Sequence, residues 1–475
     1  MRLQFLSRMS VLIAVLAVTV WTTHAQDKCT QVPAERPQNR KIVISDLHLG
    51  IGQPNGRWSP LEDFRFAALF RSFLESKRTS GNTDLIIAGD FIDFWQVLPE
   101  LDEKRSPQLG STEAESLAKL EVVLIQHRDT FADLKRFAQT GRNRLIIIPG
   151  NHDVDLFWPL VQARLQRELG LALNQKLFFT NACYESQGVH VEHGQQYDEA
   201  NSFKNPNAPF VPDDNGTRRL ETNWGTVFMS RFYNKIEIDL PFIDNLTPEL
   251  SGIVWAVQNN VIFSFRQMAR LSVMLIRDQK ALAQAKMFAR KLGADEPPKK
   301  VPEKTVDNLF KLYESVDPEL AKTLRATVKT EEDRKEAESA LKEISAEEWA
   351  TLQAGFEKVE PTETLENTLR GRDPYIQGAG SIIIKKPDIS VVVMAHTHEL
   401  DSDVFPLDDF GVRNKWYVNT GCWQKVLKVR TAKENGKKWA EITLDDPIFP
   451  LRFSYVTIDY SGDKVTRPVR SFWTP

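Results

Sequence analysis

Residues 41–50 read KIVISDLHLG: a β-branched run over Ile42–Ile44, then Ser45, then an aspartate and a histidine two positions apart, closed by Gly50. The same arrangement returns along the chain as DLIIAGD (84–90), RLIIIPGNH (144–152), VHVEHG (189–194) and VVVMAHTH (391–398). In each case a β-rich run leads directly into a short polar cluster, and only the run at 189–192 is interrupted by polar residues, His190 and Glu192. Aliphatic runs of this length without polar alternation predict strands buried on both faces, which requires helices to cover the sheets. Further β-rich runs occur at 415–421 and 451–460. Between them, residues 61–77, 113–139 and 160–168 carry apolar residues at helical spacing. Strands alternating with helices predict an α/β layered domain.

The polar clusters supply Asp46, His48, Asp90, Asn151, His152, His193, His396 and His398. Carboxylate and amide oxygens mixed with imidazole nitrogens suit borderline divalent ions such as Mn, Fe, Zn or Co, and no thiolate set for a structural zinc accompanies them. Ligands at the carboxyl ends of strands converge in the crevice at the sheet edge whatever their separation in sequence. The two-residue spacing of Asp46 with His48, and of His396 with His398, places both members on one side if the backbone there is extended. Taken alone, a histidine such as His193 reads as an ordinary hydrogen-bonded core residue, and His127 and His190, which have no motif around them, keep that reading.

The order D-x-H, GD, GNHD, a lone histidine after a strand, then H-x-H resembles the calcineurin-like metallophosphoesterases, with Ala395 where the last motif usually has glycine. GDFIDFW (89–95) followed by HGQQYD (193–198) is similar to the UDP-diacylglucosamine diphosphatase branch, departing from it at Gln195 and Ala395. The resemblance implies a β-sandwich flanked by helices that binds two divalent ions. By the same resemblance Asp46, His48 and His398 hold one ion, Asn151, His193 and His396 the other, and Asp90 is shared. His152 is then the catalytic residue facing the substrate, with Asp93 and Asp198 as partners that orient ligating histidines. Two cations so placed clamp phosphoryl oxygens and acidify a water. The reaction expected is hydrolysis of a phosphate ester or pyrophosphate bond in a small-molecule, nucleotide or lipid substrate.

Composition limits the partners. With 61 basic and 64 acidic side chains in 475 residues the net charge is −3, so no general nucleic-acid binding is expected. Arg2 and Arg8, the apolar run 11–21 and Thr23-His24-Ala25 predict a secretory signal over residues 1–25, and hence an exported protein, periplasmic or extracellular. Cys29, Cys183 and Cys422 allow one disulfide, with Cys183 pairing either Cys29 or Cys422.

Residues 206–385 lose the β-rich runs and are expected to form a mostly helical insertion that splits a catalytic domain of residues 26–205 and 386–475. Within the insertion, residues 252–292 read as apolar and helical and their stretch 255–275 either packs the lobe's own core, forms a pocket or touches a membrane surface, while residues 295–304 form a proline-rich hinge and 331–343 a solvated helix face. The alternative to an enzyme is a non-catalytic lipid- or membrane-surface protein on the same fold.

Overall fold

In the computed structural model the aliphatic runs are strands with two different apolar faces. The model describes residues 29–97, 110–247, 305–342 and 373–474, apart from short breaks within the last three ranges. The expected leader 1–25, the apolar stretch 252–292 and the expected hinge 295–304 lie outside the described residues.

One sheet contains β2 (Arg40–Ile44), β3 (Thr83–Ala88), β4 (Arg144–Ile148), β5 (Leu177–Phe179), β11 (Phe453–Ile458) and β12 (Val469–Trp473). Its order is β12-β11-β2-β3-β4-β5, parallel from β2 to β5 and antiparallel through β11 and β12. The second contains β1 (Thr30–Gln31), β6 (Cys183–Ser186), β7 (Val189–Glu192), β8 (Val391–Met394), β9 (Phe405–Pro406) and β10 (Trp416–Asn419), in the order β1-β6-β7-β8-β10-β9. There β7, β8 and β10 run parallel.

Strand periodicity sorts the side chains into layers. Val43, Ile86, Ile146 and Ile148 pack with Val189, Val191, Val391, Val393 and Val418, so these residues form the core between the sheets. Their neighbours Ile42, Ile44, Leu85, Ile87, Leu145 and Ile147 face the other way, against α1 (Ala67–Arg78), α2 (Glu113–Gln126), α3 (Arg128–Gln139) and α4 (Pro159–Leu169). On the far side, Val392 and Met394 pack under Ala379, Ile382 and Ile383 of a helix over Pro374–Lys385. The result is a helix–sheet–sheet–helix sandwich, which is why the runs read as apolar on both faces.

Two differences from the sequence reading have local causes, and of the two disulfide pairings left open one is formed. The first helix begins at Ala67 instead of Leu61, because the Glu62 carboxylate accepts the amides of Gly52 and Phe64 and holds 59–66 in turns. The stretch 113–139 is two helices, since His127 leaves the helical region at φ −111, ψ 26 and its Nε2 lies 3.2 Å from the Gly50 carbonyl. The disulfide joins Cys29 to Cys183, fastening β1 beside β6, and Cys422 is free and buried.

At the strand beginnings, the inner layer also holds charge. Arg144 Nε and Nη2 donate to the two oxygens of Asp84 at 2.7 and 2.6 Å, and Lys41 Nζ lies 3.2 Å from the same carboxylate, all of them buried. Burial raises the Asp84 pKa, but the Arg144 and Lys41 contacts outweigh it and hold the group below its ordinary value. Past residue 205 the chain continues against the core. Leu220 exchanges backbone hydrogen bonds with Gly110 and Ser111 and is fully buried. In the later part, Glu331–Lys342 is helical, with Arg334 and Glu338 paired at 3.6 Å across one turn.

Candidate metal centre

All eight candidate residues leave the same end of the sandwich. Asp46 and His48 follow β2, Asp90 follows β3, Asn151 and His152 follow β4, His193 follows β7, and His396 and His398 follow β8. The backbone that carries them is unusual. Among the described residues nine non-glycine positions have positive φ, and five of these are Asp46, His48, Asp90, His396 and His398, with φ from 48° to 72°. The Asp-x-His and His-x-His pairs are therefore left-handed turns, and the extended geometry expected from their spacing does not occur. Left-handed backbone disfavours residues with a β-carbon and is sustained only where the surroundings over-determine it, a pattern that clusters at functional sites. Two glycines make the turns fit. A β-carbon on Gly89, whose φ is +87, would run into the His193 ring, and one on Gly150 would run into Asp90 Oδ1.

The side chains converge without an intervening layer. Asp46 Oδ1 lies 3.1 Å from His398 Nε2 and 4.0 Å from His193 Nε2. His193 Nε2 is in turn 3.1 Å from Asn151 Oδ1 and 3.0 Å from Asp90 Oδ2, and that Asp90 oxygen is 3.7 Å from His48 Nε2. The rings of His193 and His396 are 5.1 Å apart and those of His48 and His152 4.7 Å. Two compact sets result, Asp46–His48–His398 and Asp90–His193–His396, each with ligand atoms within 4.8 Å of one another, and a third, His48–Asp93–His152, overlaps the first. His127 and His190 stand apart, the former against Gly50 and Glu62, the latter against Glu185 and Glu192.

Four of the five imidazoles, those of His48, His152, His193 and His396, are oriented through their other nitrogen. His48 Nδ1 and His152 Nδ1 lie 2.9 and 2.7 Å from Asp93 Oδ2, His193 Nδ1 lies 2.8 Å from the Ala88 carbonyl, and His396 Nε2 lies 3.1 Å from Asp198 Oδ2. Carboxylates and carbonyls only accept, so these nitrogens carry protons and the opposite ones are turned to the cluster. Asp153 plays a different part: it accepts the amides of Gly150 at 2.5 Å and Phe91 at 2.8 Å, and so shapes the loop. Trp95 is core, yet its Nε1 donates to the Asn151 carbonyl at 3.1 Å, clamping the loop that presents Asn151. Asn201 accepts from Asn151 Nδ2 at 3.4 Å and donates to Asp198 at 2.6 Å. No sequence signal singles it out, since it is one asparagine in a polar loop.

Burial of so many ionisable groups is offset by their mutual charge. Burial pushes Asp90 up, but His193, His152 and His48 outweigh it and hold the carboxyl well below the usual range; Asp46 is lowered against burial by His398 and His193. Conversely, burial lowers His152 and His193, yet Asp93 and Asp90 raise the former to about 10, and Asp90 and Asp46 the latter to about 9. Asp153 is pushed up to about 7 by burial and by the Asp90 charge. Carboxylate charge thus surrounds the imidazoles. Two atoms in the midst of it, Asp46 Oδ2 and His48 Nε2, are buried and have no hydrogen-bond partner. Buried polar atoms are normally satisfied, and an oxygen and a nitrogen left bare among these donors fit a divalent cation.

Residues 40–235 match the family model of the calcineurin-like phosphoesterases. The chain carries a calcineurin-like phosphoesterase domain. A domain of this family implies a metal-dependent phosphoester hydrolase in general terms, in agreement with the oxygen and nitrogen sets assembled at the strand ends. The matched span includes the loops bearing Asp46, Asp90, Asn151 and His193, and His396 and His398 reach the same cluster from beyond it. Among curated proteins nothing matches the chain.

Proposed function

We propose that this domain holds two divalent cations, of Mn, Fe, Zn or Co type, and hydrolyses a phosphate ester or pyrophosphate bond of a small-molecule, nucleotide or lipid substrate. The observation that carries the reading is the position of Asp90. Its Oδ2 faces His193 on one side and His48 on the other, while its Oδ1 accepts the His152 amide at 2.9 Å. A single carboxylate oxygen between two ligand sets is the arrangement of a bridging group. Asp46, His48 and His398 are assigned to one cation, and Asn151, His193 and His396 to the other.

When bound, the cations supply Lewis acidity to a phosphoryl group and acidify a water. The chain's own residues do the rest. Asp93 holds the His152 Nδ1 proton, which leaves Nε2 as the nitrogen that serves a leaving oxygen. The Asp93 and Asp90 charges, acting against burial, favour the protonated imidazole that a general acid requires. The Cys29–Cys183 disulfide supports an oxidising compartment, and we infer export by residues 1–25 on that ground.

The test is metal analysis of the purified protein together with a panel of phosphate esters containing nucleotide, lipid and aryl leaving groups. Two bound ions per chain, chelator-sensitive turnover, and loss of both in Asp90→Ala are expected. Full turnover by metal-free protein would refute the reading.

A further inference from the structure

The loop from Asp198 to Asn201 contributes a carboxylate and an amide whose hydrogen bonds run in one direction. His396 Nε2 lies 3.1 Å from Asp198 Oδ2, Asn201 Nδ2 donates to the same oxygen at 2.6 Å, and the Ala200 amide donates to Oδ1 at 2.9 Å. At the other end, Asn151 Nδ2 donates to Asn201 Oδ1 at 3.4 Å. Asn151 Oδ1 then faces His193 Nε2 at 3.1 Å.

The carboxylate sets the sense of this chain, because it has no proton to give. Facing it, Asn201 must present Nδ2, and therefore turns Oδ1 to Asn151. Asn151 must answer with Nδ2, and therefore turns its own oxygen to the cluster. His396, donating from Nε2, is left with a bare Nδ1. An asparagine amide is symmetric enough to flip, and a flipped Asn151 would aim N–H donors where a cation needs an oxygen. Reversing Asn201 would set oxygen against carboxylate and N–H against N–H. The loop itself is braced by the short helix over Trp224–Phe228: Asn223 Nδ2 donates to the Asn201 carbonyl at 2.7 Å and the Gly225 amide to Ala200 at 2.8 Å. Gly225 has to lack a β-carbon, which would run into Asn201 Oδ1.

We propose that Asn201 is a positioning residue that, through Asn151 and Asp198, orients two of the three unshared ligands of one cation and none of the other. The inference rests on the two-cation reading given above. It makes the Asn151–His193–His396 position dependent on Asn201, and leaves the Asp46–His48–His398 position independent of it.

The test is equilibrium dialysis of the full-length protein against Mn²⁺, with the unfolding midpoint of the cation-free protein as a second readout. Asn201→Ala is expected to weaken one of the two Mn²⁺ ions about 10- to 100-fold, the usual effect of losing an outer partner of a ligand. The other ion and the cation-free midpoint stay as in wild type. Asn201→Asp has the same size and keeps an acceptor for Asn151, but faces Asp198 with a second carboxylate; it also weakens one ion selectively, and stands in if the alanine variant does not fold. Two ions bound as in wild type by either variant overturns the proposal. So does equal weakening of both ions with a lowered cation-free midpoint, since Asn201 would then only brace the loop. Asp90→Ala distinguishes the parent reading: if it binds two ions with wild-type affinity, the two-cation centre itself fails, whatever Asn201 does.

Discussion

His48 and His152 share one acceptor, Oδ2 of Asp93, at 2.9 and 2.7 Å. A candidate ligand and a candidate proton donor are therefore held by the same oxygen, and Asp93 also accepts the amides of Trp95 and Gln96 at 3.0 Å through Oδ1. In Asp93→Asn the side chain offers one acceptor where two imidazoles need it. We expect kcat to fall by about 10²-fold or more, because a positioned acid is worth that much. His152→Ala should lower kcat similarly with metal content unchanged. Steady-state kinetics on an aryl phosphate, paired with metal analysis, checks both; metal loss in His152→Ala would move that residue into the ligand set.

Gly150 lies against Asp90, and its missing β-carbon is what lets the two loops meet. Gly150→Ala should displace Asp90 and reduce metal binding together with turnover, at a stability loss of roughly 1–3 kcal/mol, the usual range for overpacking. Calorimetry and dialysis separate the two effects. Normal metal affinity in a folded Gly150→Ala protein would contradict the packing described here.

Glu185 provides a pH signature far from catalysis. Burial raises its pKa, but His190 and Lys386 contacts outweigh this and lower it to about 2. A carboxyl depressed in the folded state stabilises the fold above its unfolded value of about 4.3, and that contribution disappears as pH falls through the folded value. Glu185→Gln should therefore melt earlier than wild type at neutral pH, with the difference shrinking between about pH 5 and pH 2. Melting temperatures across that range decide it, and a difference independent of pH would mean that the carboxylate charge is not responsible.

The three cysteines should divide in chemical behaviour. Burial and the nearby Asp46 charge push the Cys422 thiol well above its ordinary value, so thiol reagents should find none in the folded protein, one after unfolding, and three after unfolding with reductant. Replacing Cys29 and Cys183 together by Ala should lower stability by about 2–4 kcal/mol, through the unfolded chain. A rapidly titrating thiol in the native state would be the contrary result.

Much of this was legible before any coordinates. Apolar β-rich runs located β2, β3, β4, β7, β8, β10 and β11 and every candidate ligand, because helices on both outer sides make most positions of those strands apolar, whereas β1, β5, β6, β9 and β12 were not read from the sequence. What the spacing could not convey was backbone hand: two residues apart on an extended chain and two residues apart on left-handed turns look identical in sequence. Adjacency to His152 does not make Asp153 its partner, and the loop-stabilising role the sequence favours for Asp153 is the one it has. Asp153 is next in the chain, but its carboxylate turns back to collect the amides of Gly150 and Phe91, leaving the position to Asp93. The disulfide depended on β1, two residues long, pairing with β6, and such a short strand carries no periodicity to read.

The left-handed turns have one more effect. Five side chains at the mouth of the domain sit on backbone that each residue would leave if released, at about 1–2 kcal/mol apiece. Ions that bind only the native arrangement work as a clasp over that sprung rim, adding stability in proportion to the logarithm of their concentration. Cation supply would then set the durability of the protein against heat and proteases as well as its rate, and a chelated sample should age from this end first.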